Sequence, residues 1–288
     1  MNFIKSQNPD GSTVNLFYQD QGTGAPVVFI HGWPLDHQMW EYQTSILPNF
    51  GFRCISYDRR GFGKSDKPWE GYDYNTLADD LKAVLDQLDL QNVTLVGFSM
   101  GGGEIVRYFS RHQGKRVSKV VLISAVTPYF LQTEENPDGV SQEKLTEITE
   151  SLQEDRAGFL QTFIKQFYGV SLLSHPVSQG VLDWDFAVAM QASAKATLDC
   201  AHSFAETDFT REMRHINVPT LIIHGDRDET VPIQATSDQA AQLIPDAEYI
   251  VYEGAPHGLF FTEKETLNGE LIQFMQVESN PVSNTSTL

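Results

Sequence analysis

The sequence predicts a doubly wound α/β fold on a mostly parallel sheet, with a helical insertion above one edge. Three observations carry this expectation. Short apolar runs recur without polar alternation, amphipathic helical patterns separate them, and one long stretch holds helical patterns alone. Unbroken apolarity over a short run marks a strand covered on both faces, as in a parallel sheet. Strands that alternate with helices assemble in that way.

Taken in order, the chain opens on a hairpin, because the turn residues "NPDG" precede "TVNLFYQDQG", which alternates as a half-buried strand. The runs "APVVFI" (25–30), "RCISYD" (53–58), "VTLVGF" (93–98), "VVLISAV" (120–126), "TLIIHG" (220–225) and "AEYIVYEG" (247–254) supply the remaining strands. Residues 76–90 read as a helix with Leu77, Leu81, Val84, Leu85 and Leu88 on one face. The segments "GGEIVRYFSRH" and "IQATSDQAAQLI" follow the same logic.

Between Thr127 and His215 no strand pattern occurs. There "QEKLTEITESLQ" sets Leu145, Ile148 and Leu152 at helical spacing, and "GFLQTFIKQF" sets Phe159, Leu160, Phe163, Ile164 and Phe167 likewise. The expected organisation is a core of residues 1–126 and 216–277 with a helical cap of 127–215. The cap would cover the C-terminal edge of the strands, where open α/β sheets bind ligands. The polar residues 278–288 are expected to form a disordered tail.

Composition narrows the function. The 288 residues are 41% hydrophobic, enough for one large core. Twenty basic against thirty-eight acidic residues give a formal charge of −18, which argues against nucleic acid and against an anionic membrane surface. No apolar run approaches the roughly 18 residues of a spanning helix, and "MNFIKSQNPDG" lacks the apolar stretch of a secretory signal. Cys54 and Cys200 stand far apart with no CxxC, so neither a disulfide framework nor a zinc site is expected. A cytoplasmic protein follows, a homo-oligomer is compatible with it, and no metal or cofactor is expected.

The stretch "VGFSMGGG" (96–103) raises the chemical possibility. A serine at the apex of a strand–turn–helix lies in a strained backbone, and neighbours two residues away come too close for side chains. Gly97 and Gly101 meet that need around Ser99. A hydroxyl so placed needs a base and an acid that orients the base. His257 in "YEGAPHG" follows the last expected strand, in a loop that can reach Ser99. In "IIHGDRDETVP", Asp228 is the expected orienting acid, and Asp226 is expected to satisfy backbone N–H groups of the turn. His112, His175, His202 and His215 read as surface residues. The oxyanion donors are expected from the Met100 N–H and the Trp33 N–H, the latter in "FIHGWPLDHQMW", where His31 shapes the loop. Trp33, Pro34, Phe98, Phe163 and Val231 are candidate pocket walls, and an apolar lining favours small acyl or aryl esters.

With the motifs "HGWPLDHQMW", "YDRRGFGKSDKP", "GFSMGGGE", "HGDRDETVP" and "APHG" in chain order, the sequence resembles the α/β-hydrolase superfamily. Within it, the closest likeness is to bacterial arylesterases and cofactor-free haloperoxidases, or perhydrolases. The resemblance implies an eight-stranded, mostly parallel sheet with helices on both faces. It also implies Ser99, Asp228 and His257 as nucleophile, acid and base. Pro34 matches the haloperoxidase-like members, in which peroxide attacks the acyl-enzyme and the peracid formed oxidises halide in solution. A serine at the elbow sets the chain apart from dehalogenases and epoxide hydrolases, which carry a carboxylate there. Two alternatives remain at this level: a lactonase, amidase or carbon–carbon hydrolase with the same triad, and a receptor that binds a small molecule without turnover.

Overall fold

The computed structural model describes residues 2–277, so the expected tail over 278–288 lies outside the described residues. A hairpin of β1 (Phe3–Gln7) and β2 (Thr13–Gly22) leads into β3 (Ala25–Ile30), β4 (Phe52–Tyr57), β5 (Val93–Phe98) and β6 (Val117–Ile123). After a helical stretch come β7 (Thr220–Gly225) and β8 (Glu248–Tyr252). All eight join one sheet in the order β1-β2-β4-β3-β5-β6-β7-β8. β2 runs antiparallel to β1 and β4, and every other neighbouring pair is parallel.

Helices complete the alternation: α1 (Glu41–Thr44), α2 (Tyr74–Gln87) and α3 (Met100–His112) precede β6. Between β6 and β7 lie α4 (Gln142–Phe167), α5 (Gln179–Met190) and α6 (Ala194–Glu206), while α7 (Ser237–Leu243), α8 (Leu259–Thr262) and α9 (Lys264–Gln276) finish the chain. β5 and β7 are buried at every residue, as their unbroken apolar runs predict. Helix α2 begins where Asp73 accepts hydrogen bonds from the Asn75 and Thr76 N–H groups, and it buries Leu77, Leu81, Val84 and Leu85.

Three of the differences from the sequence reading have a local reason. β6 stops at Ile123 rather than 126, because Ser124 turns to φ +44°. The helical pattern over 233–244 yields α7 only from Ser237, because Thr236 sits at φ −123° and ψ −89°. The two segments read separately over 142–167 form one helix with a break at Asp155, whose carboxylate accepts the Gly158 N–H at 2.9 Å and caps the second half. A single bridge, Leu131 to Val140, also interrupts the stretch between β6 and α4.

β3 sits between β4 and β5, so the chain leaves β3 in one direction and later continues in the other. The loops after β3 and β5 diverge there and leave a crevice at the strands' C-terminal ends. A buried ionic network supports this point from below. The Arg59 guanidinium pairs with Glu104 of α3 and donates to the His31 carbonyl at 2.7 Å, while the Tyr57 hydroxyl donates to Glu104 at 2.7 Å. The Arg59 N–H donates to His31 Nε2 at 2.9 Å. Burial, with the Arg59 cation, holds the His31 imidazole well below its ordinary pKa, so the ring stays a neutral acceptor.

On the other side of the crevice, α5 is tied to the end of α4 by a buried pair in which the Tyr168 hydroxyl donates to Asp185. Burial pushes the Asp185 carboxyl up to about 6 from 3.8, against the lowering effect of that hydrogen bond. The native state therefore holds this proton more tightly than the unfolded chain does, and stability falls as pH rises from near 4 to near 6.

Two expectations follow from these buried groups. Glu104→Ala strands the Arg59 charge in the core and should cost about 3–5 kcal/mol in urea unfolding at neutral pH; a loss under about 1 kcal/mol contradicts the network's role. Asp185→Asn should be more stable than the parent by about 2–3 kcal/mol above pH 7, with the two curves converging below pH 4. A difference independent of pH across that window contradicts the raised carboxyl.

Candidate active site

Ser99 lies between β5 and α3 with φ +52° and ψ −118°. Glycine is required around it by contact. A Cβ on Gly97 would stand 2.8 Å from the Gly101 carbonyl oxygen, and one on Gly101 would stand 2.6 Å from the Ile30 carbonyl oxygen. The Ser99 side chain makes no capping hydrogen bond to α3, which leaves its hydroxyl free for another partner.

That partner is His257. Its Nε2 lies 3.1 Å from Ser99 Oγ, and its Nδ1 lies 2.6 Å from Asp228 Oδ2. Asp228 Oδ1 accepts the Thr230 and Val231 N–H groups at 2.8 and 2.7 Å. Burial acts to raise the Asp228 carboxyl, but His257 and the hydrogen bonds from His224 and His257 outweigh it and hold the group well below the usual carboxylate range. The imidazole of His257 is set between Phe98, with ring centres 4.8 Å apart, and Phe167, at 4.9 Å and nearly perpendicular.

The loops that carry Asp228 and His257 are locked together. Asp226 Oδ1 accepts the Gly254 N–H at 2.7 Å, so this aspartate binds the backbone of the loop that carries His257 rather than of its own turn. A Cβ on Gly225 would lie 2.2 Å from the Ala255 carbonyl oxygen. Gly258 is equally constrained, since its Cβ would strike the Tyr168 ring at 2.4 Å.

The loop after β3 approaches Ser99 closely. A Cβ on Gly32 would meet the Phe98 ring at 2.5 Å and Ser99 Cβ at 3.2 Å. Among the described residues, the main-chain N–H groups of Trp33 and Met100 donate to no protein acceptor. Met100 is the first residue of α3, where unpaired amides and the helix dipole favour negative charge. The Trp33 indole Nε1 donates to the Thr197 carbonyl at 2.9 Å, fastening this loop to α6.

A cavity of about 260 Å³ opens onto Ser99 and His257. Its apolar walls include Trp33, Phe130, Phe159, Phe163, Phe204 and Val231, and Lys144, Glu147 and Glu229 also border it. Two expected wall residues are absent from the lining. Phe98 is turned into the protein, packing behind His257 on Phe167 and Phe260. Pro34 is buried in its loop, and the neighbouring Trp33 supplies the wall. Phe130, Phe159 and Phe204 are walls that the sequence reading did not single out, since helical spacing alone does not separate cavity from core.

One buried group of three possible metal ligands occurs among the described residues: Asp36, His37 and Asp58. Hydrogen bonds already engage them. His37 Nδ1 donates to Asp58 Oδ1 at 2.5 Å, and Asp36 Oδ1 accepts the Gln38 N–H at 2.8 Å. These hydrogen bonds hold the loop after β3 in shape. No described helix is long and apolar enough to cross a membrane.

Comparison with known proteins identifies the family. The α/β hydrolase fold family matches residues 25–264. A non-heme chloroperoxidase of Kitasatospora aureofaciens is 42% identical over 264 residues, covering 91% of this chain and 96% of that protein. A bifunctional esterase/perhydrolase of Acinetobacter calcoaceticus is 40% identical, with coverage of 91% and 96%. The crystal structure of a bromoperoxidase from Bacillus anthracis superposes with a TM-score of 0.91 at 43% identity, covering 95% of this chain and 99% of that one. The eight-stranded sheet, the serine turn between β5 and α3 and these relatives together make the chain a member of the α/β-hydrolase family.

Proposed function

We propose that this chain is a serine hydrolase that cleaves small neutral carboxylic esters through an acyl-enzyme on Ser99. The observation that carries the reading is the unbroken hydrogen-bond line from Ser99 through His257 to Asp228, ending at an apolar cavity. His257 takes the Ser99 proton as Oγ attacks the ester carbonyl, and the Trp33 and Met100 N–H groups receive the oxyanion. Each such donor is worth about 3 kcal/mol to the transition state. The alcohol leaves with the proton that His257 returns. A water molecule, deprotonated by His257, then attacks the acyl carbonyl; Ser99 Oγ leaves with that proton from His257 and the carboxylic acid is released. Asp228 stays ionised throughout, fixing the imidazole tautomer and stabilising its cation.

The stretch 127–215 serves as the cap in this proposal, since α4 and α6 contribute Phe159, Phe163 and Phe204 to the cavity wall. A volume of about 260 Å³ suits short acyl and small aryl groups. Cys54 and Cys200 are buried and unpaired, in keeping with a reducing cytoplasm. A second activity, perhydrolysis, is supported by the 40% identical relative named a bifunctional esterase/perhydrolase. Here hydrogen peroxide replaces water on the acyl-enzyme and a peracid leaves.

Ser99→Ala should lower kcat/KM for p-nitrophenyl acetate by a factor on the order of 10⁴ or more, with circular dichroism and Tm unchanged. Turnover surviving in the purified, folded variant removes Ser99 as nucleophile. Pro34→Leu should lose peracid formation from acetate and hydrogen peroxide more than it loses ester hydrolysis; equal losses deny Pro34 a special part.

A further inference from the structure

The second imidazole on Asp228 is unused by the reaction as described above. His224, on the last turn-ward position of β7 before Gly225, is fully buried. Its Nε2 lies 3.0 Å from Asp228 Oδ2 and 3.0 Å from the Val231 carbonyl oxygen. A carbonyl only accepts, and Asp228 is ionised, so Nε2 carries the hydrogen and is shared between the two. In a neutral ring Nδ1 is then an acceptor, and it lies 2.7 Å from Ser237 Oγ, which donates to it. Ser237 opens α7 and is itself 1% exposed.

One line of donors thus runs from α7 through β7 to the nucleophile: Ser237 to His224, His224 to Asp228, and His257 to the same oxygen of Asp228. With the two backbone N–H groups on Oδ1, the carboxylate has four donors, which is its full capacity. His257 and His224 are the charged or titratable groups with the largest influence on Asp228. Glu229, next along the loop, borders the cavity.

A buried histidine needs only to satisfy its own two nitrogens, and the Val231 carbonyl would do that for Nε2. The added contact with Oδ2 falls on the one oxygen that orients His257. We propose that His224 is a positioning residue for the reaction: a neutral donor, set by the Ser237 hydroxyl, that fixes the plane of the Asp228 carboxylate and limits the negative charge His257 feels. This rests on the reading of Ser99, His257 and Asp228 as the reacting groups.

The test uses the full chain and p-nitrophenyl acetate. His224→Gln keeps an N–H at the place of Nε2, and His224→Met keeps volume without a donor. His224→Met should lower kcat about ten- to a hundredfold with KM nearly unchanged. More charge left on Asp228 favours protonated His257, so the acid limb of the kcat/KM profile should move up by about 0.5 pH. His224→Gln should restore kcat to within about threefold of the parent and return the limb. Equal losses in both variants with an unmoved limb reduce His224 to packing and overturn the proposal, as does a Met variant that behaves like the parent.

Should the Met variant fail to fold, Ser237→Ala carries the test. Without the hydroxyl the Nε2–H polarises less and donates more weakly, so the limb should move in the same direction by a smaller amount; no movement overturns the proposal. The downfield proton resonance of His257 Nδ1–H, recorded in the Ser99→Ala background, should shift in His224→Met and not in His224→Gln. That signal needs no turnover. A proposal that fails there is distinguished from a wrong nucleophile, which the Ser99→Ala kinetics alone reveal.

Discussion

Ser99 holds φ at +52°, a conformation an L side chain keeps only when its surroundings leave no alternative, and here those surroundings are backbone approaches that exclude side chains. A residue in such a region costs on the order of 1–3 kcal/mol, which the fold must offset locally. It does so by satisfying the serine's own backbone: the N–H donates to the Ile123 carbonyl at 2.9 Å, and the carbonyl accepts Gly102 and Val126 N–H groups at 3.0 and 3.3 Å. Gly101 touching the Ile30 carbonyl and Gly102 touching Ala125 bring α3 hard against the ends of β3 and β6. Any Cβ at these positions would push the elbow away from β3. The loop carrying Trp33 continues directly from β3, so the same contacts hold this loop against Ser99.

The opposite half of the site obeys a parallel constraint. Asp228 and His257 belong to separate loops, yet Gly225 packs on the Ala255 carbonyl and Asp226 holds the Gly254 N–H. Two strand ends are thereby stapled before either side chain is placed. The helices between β6 and β7 are attached differently. Their polar ties to the core include the Trp33 indole on the Thr197 carbonyl, the Ser193 N–H on the Gly61 carbonyl, the Ser203 hydroxyl on the Tyr72 carbonyl and the Gly258 N–H on the Phe167 carbonyl, and aromatic rings pack beside them. In the proposed function the reacting groups sit on the sheet edge, and helices supply part of the cavity wall.

This division also explains what could be read from sequence. Strand runs such as "VTLVGF" and "TLIIHG" are local signals, and Gly97 and Gly101 around Ser99 report a steric need that does not depend on the rest of the fold. Asp228 and His257 are legible because each follows a strand and must therefore emerge at the same edge. His224 escapes that reading. It stands inside an apolar run, where a histidine has no periodic signature, and its contact with Asp228 exists only because the loop after β7 folds back. The orientation of Phe98 is hidden for the same reason, since its ring is turned inward by Phe167 and Phe260, more than sixty residues away. The breaks at Ser124, Asp155 and Thr236 depend on single backbone angles that composition does not encode.

The chain's charge of −18 bears on the site in a direct way. Surface carboxylates are screened beyond roughly 10 Å at ordinary ionic strength, whereas charges in the cavity floor are not. Behind His257 lies a buried anion, Asp228, whose four donors compensate its burial, and the walls above Ser99 are largely aromatic. A substrate bearing its own carboxylate would have to leave water for that surface and lie near Asp228 and Glu229 without a matching cation. Lys144 does not supply one freely, because its ammonium is paired with Glu147 at 2.8 Å. A neutral ester meets neither cost. In the proposed reaction its carbonyl gains negative charge only in the transition state, and the unpaired amides of Trp33 and Met100 receive it.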